Sequence, residues 1–234
     1  MDELVHREAA SPNWDERALP VTMAVIHYTE MDSCDASLGR LCDPEAKVSA
    51  HYLISEEGEV IRLVDESKRA WHAGASYWRG LRDVNSASVG IELQHPGHAL
   101  GYRAFDERQI EALIPLLHRI VSNYNIPRAN VVAHSDVAPA RKVDPGELFP
   151  WETLARYHLC LPRPEKFEVG DPFDNDAAFY LALERFGYDI ADGRKAVEAF
   201  QRRWRPEKIN GRIDGQVRAI LFQLLLDRDR GLTR

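Results

Sequence analysis

Three short runs rich in β-branched residues constrain this chain most: Val21–Thr29 (VTMAVIHYT), Ser88–Gln94 (SVGIELQ) and Asn130–Ser135 (NVVAHS). Each has the length and composition of a strand. In the second, Val89, Ile91 and Leu93 face one way, and Gly90 and Glu92 the other. A further segment, HYLISEEGEVIRLVD, places two β-rich runs around Glu56-Glu57-Gly58-Glu59 and reads as a hairpin. The stretch between Cys34 and Pro44 reads as a loop.

One long amphipathic pattern separates the second and third runs. Ile110, Leu113, Ile114, Leu117, Ile120, Val121 and Tyr124 recur at helical spacing. Asp106 followed by Gln109 resembles a capping box. Pro115 inside the pattern is expected to kink the helix or displace its start. Pro150 precedes a short helical run, WETLARYHL. Strands mixed with helices up to residue 160 predict an α/β fold with a mixed central sheet flanked by helices. Pro162, Pro164, Gly170 and Pro172 then mark a linker over 161–173. Beyond it lie helical runs over about 175–187, 194–204 and 214–228, a small all-α three-helix domain. The expected domains are therefore 1–160 and 174–234.

The net charge of −7 provides no basic footprint, which argues against nucleic acid or an anionic membrane as partner. No run reaches the roughly 18 apolar residues of a membrane span, so no membrane insertion is expected. The polar N-terminus lacks the apolar middle of a signal peptide, and a cytoplasmic location is the expectation, with the cell envelope as alternative. Three cysteines do not make a disulfide scaffold. Cys34 and Cys42 share a loop, and a bridge in an oxidising compartment or free thiols both stay open.

Among nine histidines, His27 and His134 stand apart because each ends an apolar strand run. Strand ends are where α/β sites collect. Asp144 follows His134 after a loop stiffened by Pro139 and Pro145. Two imidazoles and a carboxylate suit catalytic Zn²⁺, with an open fourth position; on spacing alone, plain strand-end residues fit as well. Lys142, two residues before Asp144, suits an oxyanion partner or a solvated loop lysine. Glu92, opposite the apolar strand face, suits a proton shuttle or an outward-facing glutamate.

The segments VIHYT, VSAHYLISEEGEVIRLVDESKRAWHAG, NSASVGIEL and VVAHSDVAPARKVDPGELFPW, in this order, resemble the zinc-dependent N-acetylmuramoyl-L-alanine amidases, the group that includes phage lysozyme-type amidases and peptidoglycan recognition proteins. The resemblance covers about residues 20–160. It implies His27, His134 and Asp144 as zinc ligands, Glu92 as catalytic glutamate and Lys142 as the carbonyl-polarising residue. It implies hydrolysis of the amide between N-acetylmuramic acid and the L-alanine of the stem peptide, with peptidoglycan or a muropeptide as substrate partner; a monomer is the expected working unit. The family also holds members that bind peptidoglycan without cutting it, and these usually lack a ligand. The motifs SAHYLI and AWHAG match the family too, which implies that His51, Tyr52, Trp71 and His72 line or support the cleft; Asn85 and Ser86, just before the glutamate strand, are expected to contact the peptide stem. The segments LERFGYDI, AVEAFQRRWRP and NGRIDGQVRAIL resemble the small helical peptidoglycan-binding domain appended to wall hydrolases.

Overall fold

The computed structural model describes residues 3–167, 173 and 175–229. The β-rich runs form strands as expected, somewhat shorter than their sequence patterns. In chain order the first elements are β1 (Arg7–Glu8), β2 (Trp14–Glu16), β3 (Met23–Tyr28), α1 (Cys34–Leu41), β4 (Tyr52–Ile54), β5 (Val60–Arg62) and β6 (Lys68–Ala70). There follow α2 (Val84–Ala87), β7 (Ser88–Leu93), α3 (Gly97–Leu100), α4 (Glu107–Tyr124), β8 (Val131–Ala133), α5 (His134–Val137) and α6 (Trp151–Arg156). The helical region comprises α7 (Asp176–Phe186), α8 (Gly193–Trp204) and α9 (Gly215–Asp229). No helix among the described residues is long and apolar enough to cross a membrane.

Six strands form one mixed sheet in the order β1-β5-β4-β7-β3-β8. The hairpin appears as the antiparallel pair β4–β5. The three strands β7, β3 and β8 run parallel, so their C-terminal ends share one edge. Register puts His27 beside Glu92 and Ile26 beside Ala133, the residue before His134. Side chains alternate across each strand. Ala24, Ile26, Val89, Ile91, Leu93, Val131 and Ala133 therefore face α4, where they join Ile110, Leu113, Leu117 and Ile120 in one core. Met23, Val25 and Val132 point to the opposite face, the face that carries His27, Glu92 and His134.

Several local expectations change. The segment read as a loop after β3 holds helix α1, capped by Ser33, whose side chain accepts from the Ala36 amide. Its buried Leu38 and Leu41 pack with Leu53, Ile61 and Leu63, too few contacts to leave a clear helical stripe in the sequence. Cys34 and Cys42 sit at opposite ends of that helix, and both are free thiols. Asp106 caps α4 through the Arg108 amide, while Gln109 is buried and donates to the carbonyls of Ile54 and Gln94. Gln109 thus ties the helix to the sheet instead of completing a capping box. Helix α4 runs unbroken through Pro115. Pro115 and Glu111, whose carbonyl loses its helical partner, both lie on the exposed face of the helix.

The helical region does not bury its apolar faces only among its own members. Phe179, Phe186, Tyr188, Val197, Phe200 and Trp204 share one core with Met23, Val25, Trp78, Val132 and Val137 of the sheet region. Of the expected linker, 161–167 lacks regular structure and Gly170 and Pro172 lie outside the described residues, as do residue 174 and the last five residues of the expected second domain.

Candidate metal centre

The site follows from the parallel register. Strands β3 and β7 place His27 and Glu92 side by side on one face at the shared edge. His134 opens α5 directly after β8, the other neighbour of β3. Asp144 returns through the proline-containing loop, and its carbonyl accepts from the Ser135 amide at 2.9 Å. That bond closes the loop onto the helix that carries His134.

The side chains converge. His27 Nδ1 lies 2.9 Å from His134 Nδ1 and 3.2 Å from Asp144 Oδ2, and His134 Nδ1 lies 2.9 Å from the same oxygen. Among the described residues these three form the group whose candidate ligand atoms all lie within 4.8 Å of one another. All three are buried. His134 Nε2 is 3.2 Å from the Ala73 carbonyl, which can only accept, so Nε2 bears the hydrogen and Nδ1 is bare. A lone pair and a carboxylate oxygen aimed at one point repel each other unless a cation or proton lies between them. The donor set of two imidazole nitrogens and one carboxylate oxygen fits a three-ligand zinc position.

Electrostatics agree with ligands held in their metal-binding forms. Burial, with the His134 imidazole adding to it, lowers His27 to about 4 despite the opposing pull of Asp144. Burial alone would raise Asp144, but His134 and His27 outweigh it and hold the carboxyl well below its usual range. Glu92 behaves oppositely: burial first, then the charge of Asp144, push it up to about 8 against the influence of Lys142. Its Oε2 is buried with no hydrogen-bond partner. An unpartnered carboxyl oxygen in such a place is costly and marks a functional position.

A cleft of about 320 Å³ opens over these groups, and Glu30, Arg40, His72, Glu92, Arg141 and Lys142 are among the residues that line it. Arg141 is committed to the carbonyls of Ala73 and Ala75. Arg40 and Lys142 make no ion pair within the described residues. Arg40 and Glu30 carried no signal in the sequence, being polar residues in or beside an apparent loop.

Five of the six remaining sequence candidates lie outside the cleft lining. His51 is fully buried, with Nδ1 accepting from the Gly90 amide and Nε2 meeting the Lys68 carbonyl. Tyr52 points to the far face, where its hydroxyl donates to Glu66. Trp71 is half-buried and its indole N–H donates to Asp15. Asn85 Oδ1 accepts from the amides of His72 and Ala73, and Ser86 is buried in the turn beside it. Of the six, only His72 reaches the cleft, because AWHAG turns its imidazole inward under His27.

Residues 17–147 match the family model described as N-acetylmuramoyl-L-alanine amidase. The chain is 38% identical to the N-acetylmuramoyl-L-alanine amidase AmiD of Escherichia coli K12, over 88% of this chain and 82% of that protein. It is 32% identical to the 1,6-anhydro-N-acetylmuramyl-L-alanine amidase AmpD of the same organism, over 67% of this chain and 92% of that one. The solved structure of E. coli AmiD with anhydro-N-acetylmuramic acid-L-Ala-D-gamma-Glu-L-Lys superposes with a TM-score of 0.80 and 37% identity, covering 91% of this chain and 92% of that chain. With a family match over more than half its length and a relative of this similarity, the chain belongs to the N-acetylmuramoyl-L-alanine amidase family Amidase_2.

Proposed function

We propose that this chain hydrolyses the amide bond between N-acetylmuramic acid and the L-alanine of the stem peptide, with Zn²⁺ held by His27, His134 and Asp144. The observation that carries the reading is the convergence of two imidazoles and a carboxylate, their candidate ligand atoms within 4.8 Å of one another, beside the buried, unpartnered carboxyl of Glu92. When bound, zinc supplies Lewis-acid polarisation and acidifies water. The residues of this chain do the rest. Glu92, a buried carboxyl with one unpartnered oxygen lining the cleft, is the group we assign to accept and return the proton. It takes the proton of the attacking water and delivers it to the leaving nitrogen. Lys142, on the loop facing the same cleft, stabilises the developing oxyanion. His51, Tyr52, Asn85 and Ser86 support the floor of the site from behind, and Trp71 ties its flank to Asp15.

The relatives favour small muropeptides as substrates, since E. coli AmiD is seen with an anhydromuropeptide. A monomer as the working unit is part of this proposal. For the region 174–234, whose described residues hold α7–α9, we propose peptidoglycan binding, supported by a hollow lined by Arg194, Asn210, Gly211 and Arg212. The deciding experiment is metal analysis together with mass spectrometry of products from defined 1,6-anhydro-muropeptides and from intact sacculi. Release of the free stem peptide with stoichiometric zinc is expected. Zinc-free binding of muropeptides without cleavage would replace the enzyme by a recognition protein.

A further inference from the structure

The orientation of the His27 proton is dictated by a chain of hydrogen bonds that ends on a backbone carbonyl. Ser88 Oγ lies 2.5 Å from the Val84 carbonyl, which can only accept, so the hydroxyl proton is committed there. His72 Nε2 lies 3.2 Å from the same hydroxyl oxygen, which is now free only to accept. Nε2 of His72 therefore carries its N–H. A neutral imidazole has one, so His72 Nδ1 is a bare acceptor. That atom lies 3.0 Å from His27 Nε2, which must donate. His27 Nδ1 is left bare, and it is the atom that faces His134 and Asp144.

The sequence builds a seat for this relay. His72 is buried, and a Cβ on residue 90 would collide with its ring at Cγ. Gly90 thus lets the ring lie against β7 between His27 and Ser88. A glycine inside a strand marks a close approach of this kind. A metal-bound histidine usually gives its second N–H to a carboxylate or a carbonyl. Here a second histidine takes that place, and its own direction has to be fixed from behind.

We propose that His72 is a positioning residue: anchored by Ser88 and seated on Gly90, it holds His27 as the Nε2–H tautomer and turns the Nδ1 lone pair toward the metal position. The proposal rests on the reading of His27 as a ligand. Its first test is made on metal-free protein, by two-bond ¹H–¹⁵N correlation spectra of the imidazoles. His27 carrying a hydrogen on Nε2 is the expected result; a bare Nε2 with the hydrogen on Nδ1 overturns it. The second test measures zinc affinity by chelator competition at fixed pH. His72→Phe fills the seat without an acceptor and is expected to weaken zinc about 10- to 100-fold. His72→Gln, which offers an amide oxygen to His27, is expected to recover most of that loss. A folded His72→Phe protein that binds zinc as tightly as the parent overturns the proposal. If that variant fails to fold, Ser88→Ala decides: the spectra should show His27 divided between tautomers, and an unchanged single Nε2–H form counts against the relay. A parent protein that binds no zinc would sink the amidase reading instead, while the metal-free spectra still decide this one.

Discussion

Tyr188 donates its hydroxyl hydrogen to Asp136 Oδ1 at 2.5 Å, joining the helical region to the short helix that begins with His134. The other oxygen of Asp136 accepts from the Ala133 amide, immediately before that ligand candidate. Arg203 of α8 stands 3.7 Å from the same carboxylate and lies over the Trp151 ring. The second region therefore braces one wall of the site through buried polar contacts as well as through the shared apolar core.

Tyr188→Phe leaves Asp136 Oδ1 buried without its partner, and an orphaned buried acceptor costs about 1–3 kcal/mol. Chemical denaturation should show that loss as a lowered midpoint. The parent should unfold in one transition, because Val25, Val132, Phe200 and Trp204 share a core. Two well-separated transitions would mean that the halves are stable independently.

Lys142→Ala should leave zinc content unchanged and lower turnover by two decades or more. Losing one oxyanion donor costs about 3 kcal/mol. Lys142 belongs to the cleft but not to the converging ligand group, so metal and rate should separate. Steady-state kinetics on a defined muropeptide, beside metal analysis, checks both halves.

How much of this could be read from the chain depends on how each residue reaches the site. His27, Glu92 and His134 were legible because each closes or lies in a strand run, and parallel register brings strand ends together. Lys142 and Asp144 were legible through the motif and its loop. The role of His72 was not, since it depends on which ring nitrogen faces which neighbour; only Gly90 hinted that something presses on β7. The packing of α7–α9 was also hidden. An apolar helix face has the same spacing whether its partner is a sister helix or a neighbouring sheet. Arg40 escaped because α1, with two buried leucines, has too short a stripe to announce itself.

Glu92→Gln should abolish turnover and also change how stability of the metal-free protein varies with pH. The Glu92 carboxyl is raised in the folded state to about 8, by burial first and by Asp144 second. In the unfolded chain it titrates at about 4.3. A raised folded value means that the stabilising contribution is complete below the unfolded value and is lost as pH climbs through 8. The amide of the variant cannot ionise, so that loss should vanish. Parent and variant should show parallel stability below about pH 4, and the variant should gain by a few kcal/mol relative to the parent by about pH 9. Denaturant midpoints of both proteins in chelator-treated buffer, across that range, provide the measurement. A parent whose stability does not fall relative to the variant would place Glu92 in a wetter setting than the cleft shows.

Zinc should stabilise the folded chain, and only through the three converging side chains. A ligand bound solely by the folded state at about 1,000 times its dissociation constant contributes about 4 kcal/mol. For a protein of this size that corresponds to a rise of roughly 8–16 °C in the midpoint of thermal unfolding. Asp144→Asn keeps the shape of the side chain and removes the charge that His27 and His134 hold ionised. A neutral amide is a poor ligand beside two imidazoles, so the variant should lose the zinc-dependent rise. Differential scanning calorimetry with and without zinc, on both proteins, makes the comparison. A variant that keeps the full rise would mean that zinc stabilises the chain from some other place, and the convergence at residues 27, 134 and 144 would have to be explained without a metal.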